Sequence, residues 1–353
     1  MSVEVFHDLS AWAAFERGGE DGVQPGPPLF ASPAWFDCLH RHGMPGSVRP
    51  RVYRAAAPEG SCSLVLCHHD AERRLASLTT YYSVMFAPTD VAGGPPDRAA
   101  LDAVIAHLAK ERPRWRRVRL WYICNPEIAD TLVAAFRAQG YTARRTAHGT
   151  TWSVDVAGHT YASYLSGRPS RLRNTISRKA RKAARAGVVF RLYTAPEPAG
   201  MDAYQAVYRT SWKRDEPYPE FIPTLARTAA AQGALRLGVL WQGDQPLAAQ
   251  IWLINGATAV IYKLAQVPDG DPLSAGTLLT ANMMETVGFE PGIARVSFGY
   301  GDEPYKALWM DRRDAVHVVE AAPTFSAPAQ RIRLGGLKDH AAAYLRRDAA
   351  GSA

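Results

Sequence analysis

Several things are missing from these 353 residues, and each absence removes a class of protein. No apolar run reaches the roughly 18 residues that a bilayer-spanning helix needs. The N-terminus, MSVEVFHDLSAWAAFERGGEDG, opens on acidic and polar residues with no basic stretch ahead of an apolar run. A secretory signal is therefore not expected, and a cytoplasmic location is. Cysteine is scarce: Cys38, Cys62, Cys67 and Cys124 all lie in the first half, without the paired CxxC element of zinc sites. They read as reduced, mostly buried thiols rather than as metal ligands or disulfide partners. Histidine supplies no nucleophile pattern. His68 and His69 are adjacent and would point to opposite sides of a strand, and the second half holds only His159, His317 and His340. Covalent Ser/His or Cys/His catalysis fits poorly, and no metal site is expected.

Apolar residues make up 47% of the chain, which is globular composition, and the length is that of two ordinary domains. The formal net charge is +8, which points to an anionic partner without naming it. Its distribution is more informative. From Arg168 to Arg185 there is no acidic residue, while Arg168, Arg171, Arg173, Arg178, Lys179, Arg181, Lys182 and Arg185 are basic. Leu172, Ile176, Ala180, Ala183 and Ala184 recur there at helical spacing, with Ser170 as N-cap and Gly187 placed to end the helix. The charges cover most of its remaining surface.

A strand, VVFRLYT, and a helix near Met201 to Trp212 follow, and the proline-bearing EPYPEF interrupts the pattern. LRLGVLW, PLAAQIWLI and TAVIYKLAQV then read as three antiparallel strands, turning at Gly243-Asp244 and at Asn255-Gly256. The loop VPDGDPLSAG leads into TLLTANMMETVGFE, where Leu278, Leu279, Met283, Met284 and Val287 form a buried helix face. ARVSFGYG is a strand, EPYKALWM a helical turn and VHVVEAA a final strand. The first half repeats this order more weakly: SCSLVLCHH and RRLASLTTYYSVMFA as meander strands, AALDAVIAHLAKE a helix, WRRVRLWYI a strand and PEIADTLVAAFRAQG a helix. The segments 1–150, 151–325 and a basic tail 326–353, helical between Leu337 and Arg347, are the expected division.

The fragments SRLRNTISRKARKAARAG, YRTSWKR, QPLAAQIWLINGATAVIYKLA, SAGTLLTANMMETV and VSFGYGDEPYKALW, in this order and at these separations, resemble the GNAT-like acyltransferase superfamily. Within it they are similar to the branch shared by CelD-like polysaccharide-biosynthesis acetyltransferases and Fem-type transferases. The resemblance spans roughly Tyr161 to Glu320. It implies an α+β fold of tandem GNAT-like domains, each a largely antiparallel sheet flanked by helices. It also implies acetyl-CoA or another acyl-CoA as cosubstrate. The N-terminal copy has the proline-rich DVAGGPPDRAA in place of a clear phosphate loop, so it is expected to shape the acceptor cleft and not to bind cofactor.

PLSAGTL joins strand to helix, and unpaired N–H groups at a helix start are a natural anion site. By resemblance Ser274, Ala275, Gly276, Thr277 and Leu278 hold the pyrophosphate of the acyl-CoA; the bland reading is that Ser274 and Gly276 merely cap a buried helix. The strand Ile261 to Val267, with Leu264, Ala265 and Gln266, presents its backbone to the pantetheine arm in the same reading. In GYGDEPYK, Asp302 is suited to accept a proton from an incoming ammonium, Tyr305 to donate one to the departing thiolate and Lys306 to hold an anionic group. All three are also ordinary loop residues. Trp212 and Lys213 line an acceptor pocket or anchor their helix, and Gln250 and Tyr262, on adjacent strands, face the cleft or else belong to core or surface. The basic helix, with Arg178, has three readings: a solvated face, an RNA surface, or a site for an anionic, phosphate-bearing acceptor. It lacks the interleaved aromatics of a single-strand stacking surface.

The leading functional expectation is an acyl-CoA-dependent N-acyltransferase. The resemblance implies that its acceptor is a small-molecule amine or a glycan or cell-envelope precursor. A Fem-type transferase drawing on charged tRNA, and a non-catalytic binding protein of the same fold, are the alternatives.

Overall fold

The computed structural model describes residues 1–18, 27–69 and 72–335. The expected helix Leu337 to Arg347 lies outside them. In chain order the elements are β1 (Val3–Phe6), α1 (Leu9–Gly18), α2 (Pro33–His42), β2 (Arg49–Ala57), β3 (Gly60–His69), β4 (Arg74–Ser77), α3 (Arg98–Lys110), β5 (Arg117–Ile123), α4 (Pro126–Ala138) and β6 (Tyr141–Asp155). Then follow α5 (Tyr161–Ser166), α6 (Ser170–Arg185), β7 (Val188–Tyr193), α7 (Pro198–Thr210), α8 (Phe221–Ala231), β8 (Leu235–Gln242), β9 (Gln245–Asn255), β10 (Thr258–Gln266), α9 (Ala275–Met283), β11 (Arg295–Tyr300) and β12 (Arg312–Pro323).

These elements make two compact units, neither continuous in sequence. The first comprises the described parts of Met1–Pro27, Met44–His148 and Ala315–Ala353; the second comprises Pro28–Gly43 and Gly149–Asp314. The strand order is β1-β2-β3-β4-β5-β12 in the first and β7-β8-β9-β10-β11-β6 in the second. In each, the first four strands are antiparallel neighbours. The fourth and fifth are parallel, β4 with β5 and β10 with β11. A parallel pair needs a crossover, which α3 and α9 supply. The sixth strand is antiparallel to the fifth, and each unit takes it from the other end of the chain: β12 lies on β5 and β6 on β11. The repeated element order is thus a tandem α+β fold with exchanged last strands. Against a division at residues 150 and 325, α2 groups with the second unit and the end of β12 with the first. Part of the basic tail is integrated too: residues 327–335 are helical, and Ala329 and Ile332 are buried with Ala322.

Local chemistry explains the element ends. Gly187, at φ 69°, ends α6, and Gly256, at φ 58°, turns β9 into β10 where a Cβ would be strained. Asn125 caps α4, its side chain accepting from Glu127 N at 2.8 Å. Two sequence expectations need correction. Ser170 is the first residue of α6, with Pro169 in the cap position. RRLASLTTYYSVMFA leaves the sheet after Ser77, because Thr80 and Ser83 close a turn, Thr80 N donating to Ser83 Oγ and Ser83 N to Thr80 O. Its apolar residues Leu78, Tyr82 and Phe86 still fill the core. The four cysteines are free thiols, three of them buried. Burial pushes Cys38 up to about 11 and Cys67 to about 12, which leaves them unreactive at neutral pH.

In the second unit Leu278, Leu279, Met283, Met284 and Val287 are buried, as the helical spacing predicts. They pack on a sheet face that includes Trp252 and Ala259. Gly238 of β8 permits this approach, since a Cβ there would stand 2.3 Å from Met283 Sδ and 3.1 Å from Phe190. Overpacking a filled core costs about 1–3 kcal/mol. Gly238→Val is therefore expected to lower the unfolding free energy by about 2 kcal/mol in urea titrations; an unchanged midpoint would contradict the packing of α9 on β8.

Candidate functional site

The start of α9 is built to stay open. Its N-cap residue Ser274 is left-handed, at φ 53° and ψ 50°, and makes no side-chain cap. A serine held there is strained, a feature that clusters at functional sites. Leu278 N–H closes the first intrahelical bond, onto Ser274 O at 3.0 Å, so the preceding N–H groups are the helix's orphan donors. Gln266 Oε1 accepts that of Gly276 at 2.8 Å, and a Cβ on Gly276 would meet the same oxygen at 2.5 Å. Gln250, 1% exposed, secures the helix from β9: its Nε2 donates to Thr280 Oγ1 at 2.7 Å and to Gly276 O at 3.4 Å, and its Oε1 accepts from Trp252 at 2.8 Å. Its amide is thus engaged inside the fold rather than turned to a cleft. Ala275 and Leu278 are buried and Thr277 half-buried beside them.

The basic helix α6 reaches this loop. Lys179 Nζ donates to Pro272 O at 2.6 Å and Lys182 Nζ to the same oxygen at 3.4 Å. Arg178 lies on the outer face of α6, in a shallow groove of about 460 Å³ with Arg171 and Arg181. α3 of the first unit is closed by contrast: Asp97 caps it, accepting from Ala100 N at 2.8 Å, and with Glu59, Asp90 and Arg54 it lines a cleft of about 640 Å³.

Strand β10 pairs with β9 along its whole length, but with β11 only at Thr258, Ala259 and Val260. Beyond Val260 the two parallel strands part, and a bulge falls between Ile261 and Lys263. Leu264, Ala265 and Gln266 thus follow the point of separation and run to the loop that opens α9. Tyr262 is half-buried, 6.5 Å from the ring of Phe30.

The segment after β11 behaves differently from the sequence expectation. Asp302 Oδ1 accepts from Trp152 Nε1 at 2.8 Å and from Arg313 Nε at 3.0 Å, and Arg313 also meets Oδ2. The Arg313 guanidinium, then the Trp152 indole, hold this exposed carboxyl down at about 2. Such a group takes up no proton at neutral pH, so the proton-acceptor role does not fit. Lys306 is 3% exposed; its ammonium meets Glu303 at 2.8 Å, Tyr300 O at 3.1 Å and Phe298 O at 3.4 Å. All three of its N–H groups serve the fold, which removes it as a free anion clamp. Burial and then Glu303 push the Tyr305 hydroxyl up to about 12, so it is protonated at neutral pH.

Two residues escaped the sequence reading. Lys263 pairs with Glu216 at 2.8 Å, and both side chains are only 10% exposed. The signal was visible in TAVIYKLAQV, since a lysine inside an apolar strand needs a carboxylate if it is buried. Lys213 stands in the same electrostatic neighbourhood, and burial, then Lys263, depress it to about 8. Trp212 beside it is 68% exposed, so it does not anchor α7.

Residues 170–307 match the family described as an acetyltransferase (GNAT) domain. No curated protein matches the chain. Among solved structures, one titled FemX is 10% identical, with a TM-score of 0.61 over 90% of this chain and 96% of that one. A conserved protein of unknown function from Bacteroides thetaiotaomicron VPI-5482 is 11% identical, at a TM-score of 0.54 over 91% and 100%. L-PGS from Bacillus licheniformis is 12% identical, at 0.51 over 87% and 96%. At these identities the likeness is one of fold. The domain match thus places an acetyltransferase (GNAT) domain at residues 170–307, within a chain whose fold is shared with the FemX structure.

Proposed function

We propose that the chain is an acyl-CoA-dependent N-acyltransferase, acetyl-CoA being its donor, acting on an amine of a small molecule or of a glycan or cell-envelope precursor. The observation that carries the reading is the parting of β10 from β11 after Val260, directly ahead of an α9 whose N-cap residue, Ser274, makes no side-chain cap, Gln266 taking only the N–H of Gly276. Strand ends that separate beside a helix start offer an extended slot and an anion site together. Lys179 and Lys182 strengthen the case. Cations beside the positive end of a helix repel it, and an anion between them relieves both.

In this reading the turn Ser274–Leu278 and the two lysines hold the pyrophosphate, and Leu264, Ala265 and Gln266 flank the pantetheine arm. The donor supplies a thioester carbonyl as electrophile. Tyr305, kept protonated, is placed in this scheme to donate to the departing sulfur. Asp302 serves by fixing Arg313 and Trp152, which keeps the loop after β11 in shape. The Fem-type reading, with charged tRNA as donor, draws on the fold shared with the FemX structure and on α6. The uncapped α9 start favours the acyl-CoA reading.

Titrating the protein calorimetrically with acetyl-CoA is expected to give saturable binding that Gly276→Trp abolishes without unfolding the chain. Absence of heat at millimolar ligand refutes the donor assignment and moves charged tRNA to the front. A second test concerns the carboxylate. Because Asp302 is already ionised well below neutrality, Asp302→Asn is expected to leave the ascending limb of the pH profile of kcat/KM where it stands. If that limb disappears, Asp302 is the titrating base after all.

A further inference from the structure

Five charged side chains of the second unit gather where β10 and β11 separate: Lys213, Glu216, Lys263, Glu303 and Lys306. Lys263 sits at the bulge just past the last residue paired with β11. Lys306 donates to the carbonyls of Phe298 and Tyr300, the β11 residues past the last paired serine. Two ion pairs form, Lys263 with Glu216 and Lys306 with Glu303, each at 2.8 Å. Two valences are left over. Among the described residues no carboxylate lies within ion-pair distance of Lys213, and Glu216 Oε2 is buried with no hydrogen-bond partner. A buried acceptor without a donor costs about 1–3 kcal/mol, a cost that a purely structural cluster has no reason to carry.

We propose that this cluster recognises an acceptor bearing an amine with an anionic group beside it, the ammonium meeting Glu216 Oε2 and the anion meeting Lys213. The inference rests on the acyltransferase reading and narrows its acceptor class. A zwitterionic amine satisfies both leftover groups at once. A neutral amine satisfies only the carboxylate and leaves the half-buried Lys213 ammonium with no anion, only the Trp212 ring 6.0 Å away. Sites built to pair a polar group discriminate against analogues that lack it. Lys263, held against Glu216 Oε1, leaves the other oxygen to be met by the ligand's ammonium and is a positioning residue. Carboxylate and phosphate are the anions that fit this chemistry, as in an amino acid or a phosphorylated amino sugar.

The test uses two matched pairs of amines on the full chain, glucosamine 6-phosphate with glucosamine and L-lysine with L-lysinamide. Binding is titrated calorimetrically without donor, and acetyl transfer is followed by thiol release. In at least one pair the anionic member is expected to bind and react about tenfold or more better than its neutral partner, and the responding pair identifies the anion. Lys213→Met, at a half-exposed loop position, is expected to erase that preference while its acetyl-CoA titration and melting temperature stay as in the unaltered protein. Glu216→Gln should weaken both members of the pair. Equal treatment within both pairs, a preference that survives Lys213→Met, or no amine bound at all overturns the proposal. A protein that binds the anionic amines but no acetyl-CoA instead contradicts the acyltransferase reading, and the separate titrations distinguish the two failures.

Discussion

Two glutamine side chains hold the second unit in its working shape. Gln266 on β10 accepts the N–H of Gly276, and Gln250 on β9 donates to Thr280 and Gly276 O while accepting from Trp252. Gln250 is buried and Gln266 half-buried, and away from water a hydrogen bond left unmade costs more than one made gains. The first turn of α9 is thereby tied to two strands and its axis set against the sheet. A helix start fixed in this way carries its orphan N–H groups in a fixed direction, which is what preorganised anion binding requires. Ser274 shows the strain of the arrangement, standing in a left-handed conformation that glycine would adopt at no cost.

The two units share topology and differ in electrostatics. Both run a four-stranded antiparallel meander, a crossover helix and a parallel fifth strand. In the first unit the crossover helix is closed by its own carboxylate, Asp97, and the neighbouring Asp90 accepts from Ser61 N at 2.7 Å. In the second unit the corresponding cap is absent and lysines approach instead. Fold repetition and different chemistry at the two helix starts are therefore compatible: the sheet depends on apolar periodicity, while the helix start depends on a few cap residues that can change without disturbing the core.

Much of the fold was legible because its signals are periodic or steric. The Asn255-Gly256 turn, the buried face of α9 and the apolar stripe of α6 follow from dihedral limits and the helical repeat. The exchange of β6 and β12 was not legible. Local patterning identifies a strand, whereas the partner it selects depends on contacts far away in sequence. The candidate site divides the same way. The α9 turn could be read from PLSAGTL, since a glycine ahead of an apolar helical pattern announces a close backbone approach. Asp302 and Lys306 were read from residue type and from the pattern of the resembled family, and neither reveals that Arg313 and Trp152 fix the one and that Glu303 and two carbonyls enclose the other. Glu216 escaped because its meaning arises only when Lys263, distant in sequence, packs against it.

The charge on α6 has a cost that bears on its purpose. Arg178 and Lys182, like Arg181 and Arg185, stand four residues apart, and like charges at that spacing destabilise a helix by about 0.2–0.5 kcal/mol each. No ion pair with a carboxylate offsets them among the described residues; the helix is held by Leu172, Ile176 and Ala183 in the core. A merely solvated face would be equally soluble with mixed signs. Lys179 and Lys182 turn toward the Pro272 carbonyl, at the loop that opens α9, whereas Arg171, Arg178 and Arg181 face outward along a groove. The helix thus presents cations on two faces: one faces the start of α9, and the other is an uncompensated cationic strip along the groove. The inner face follows from the α9 geometry. The outer face adds attraction that falls with ionic strength, since its charges lie in water and are screened within about 10 Å at ordinary salt.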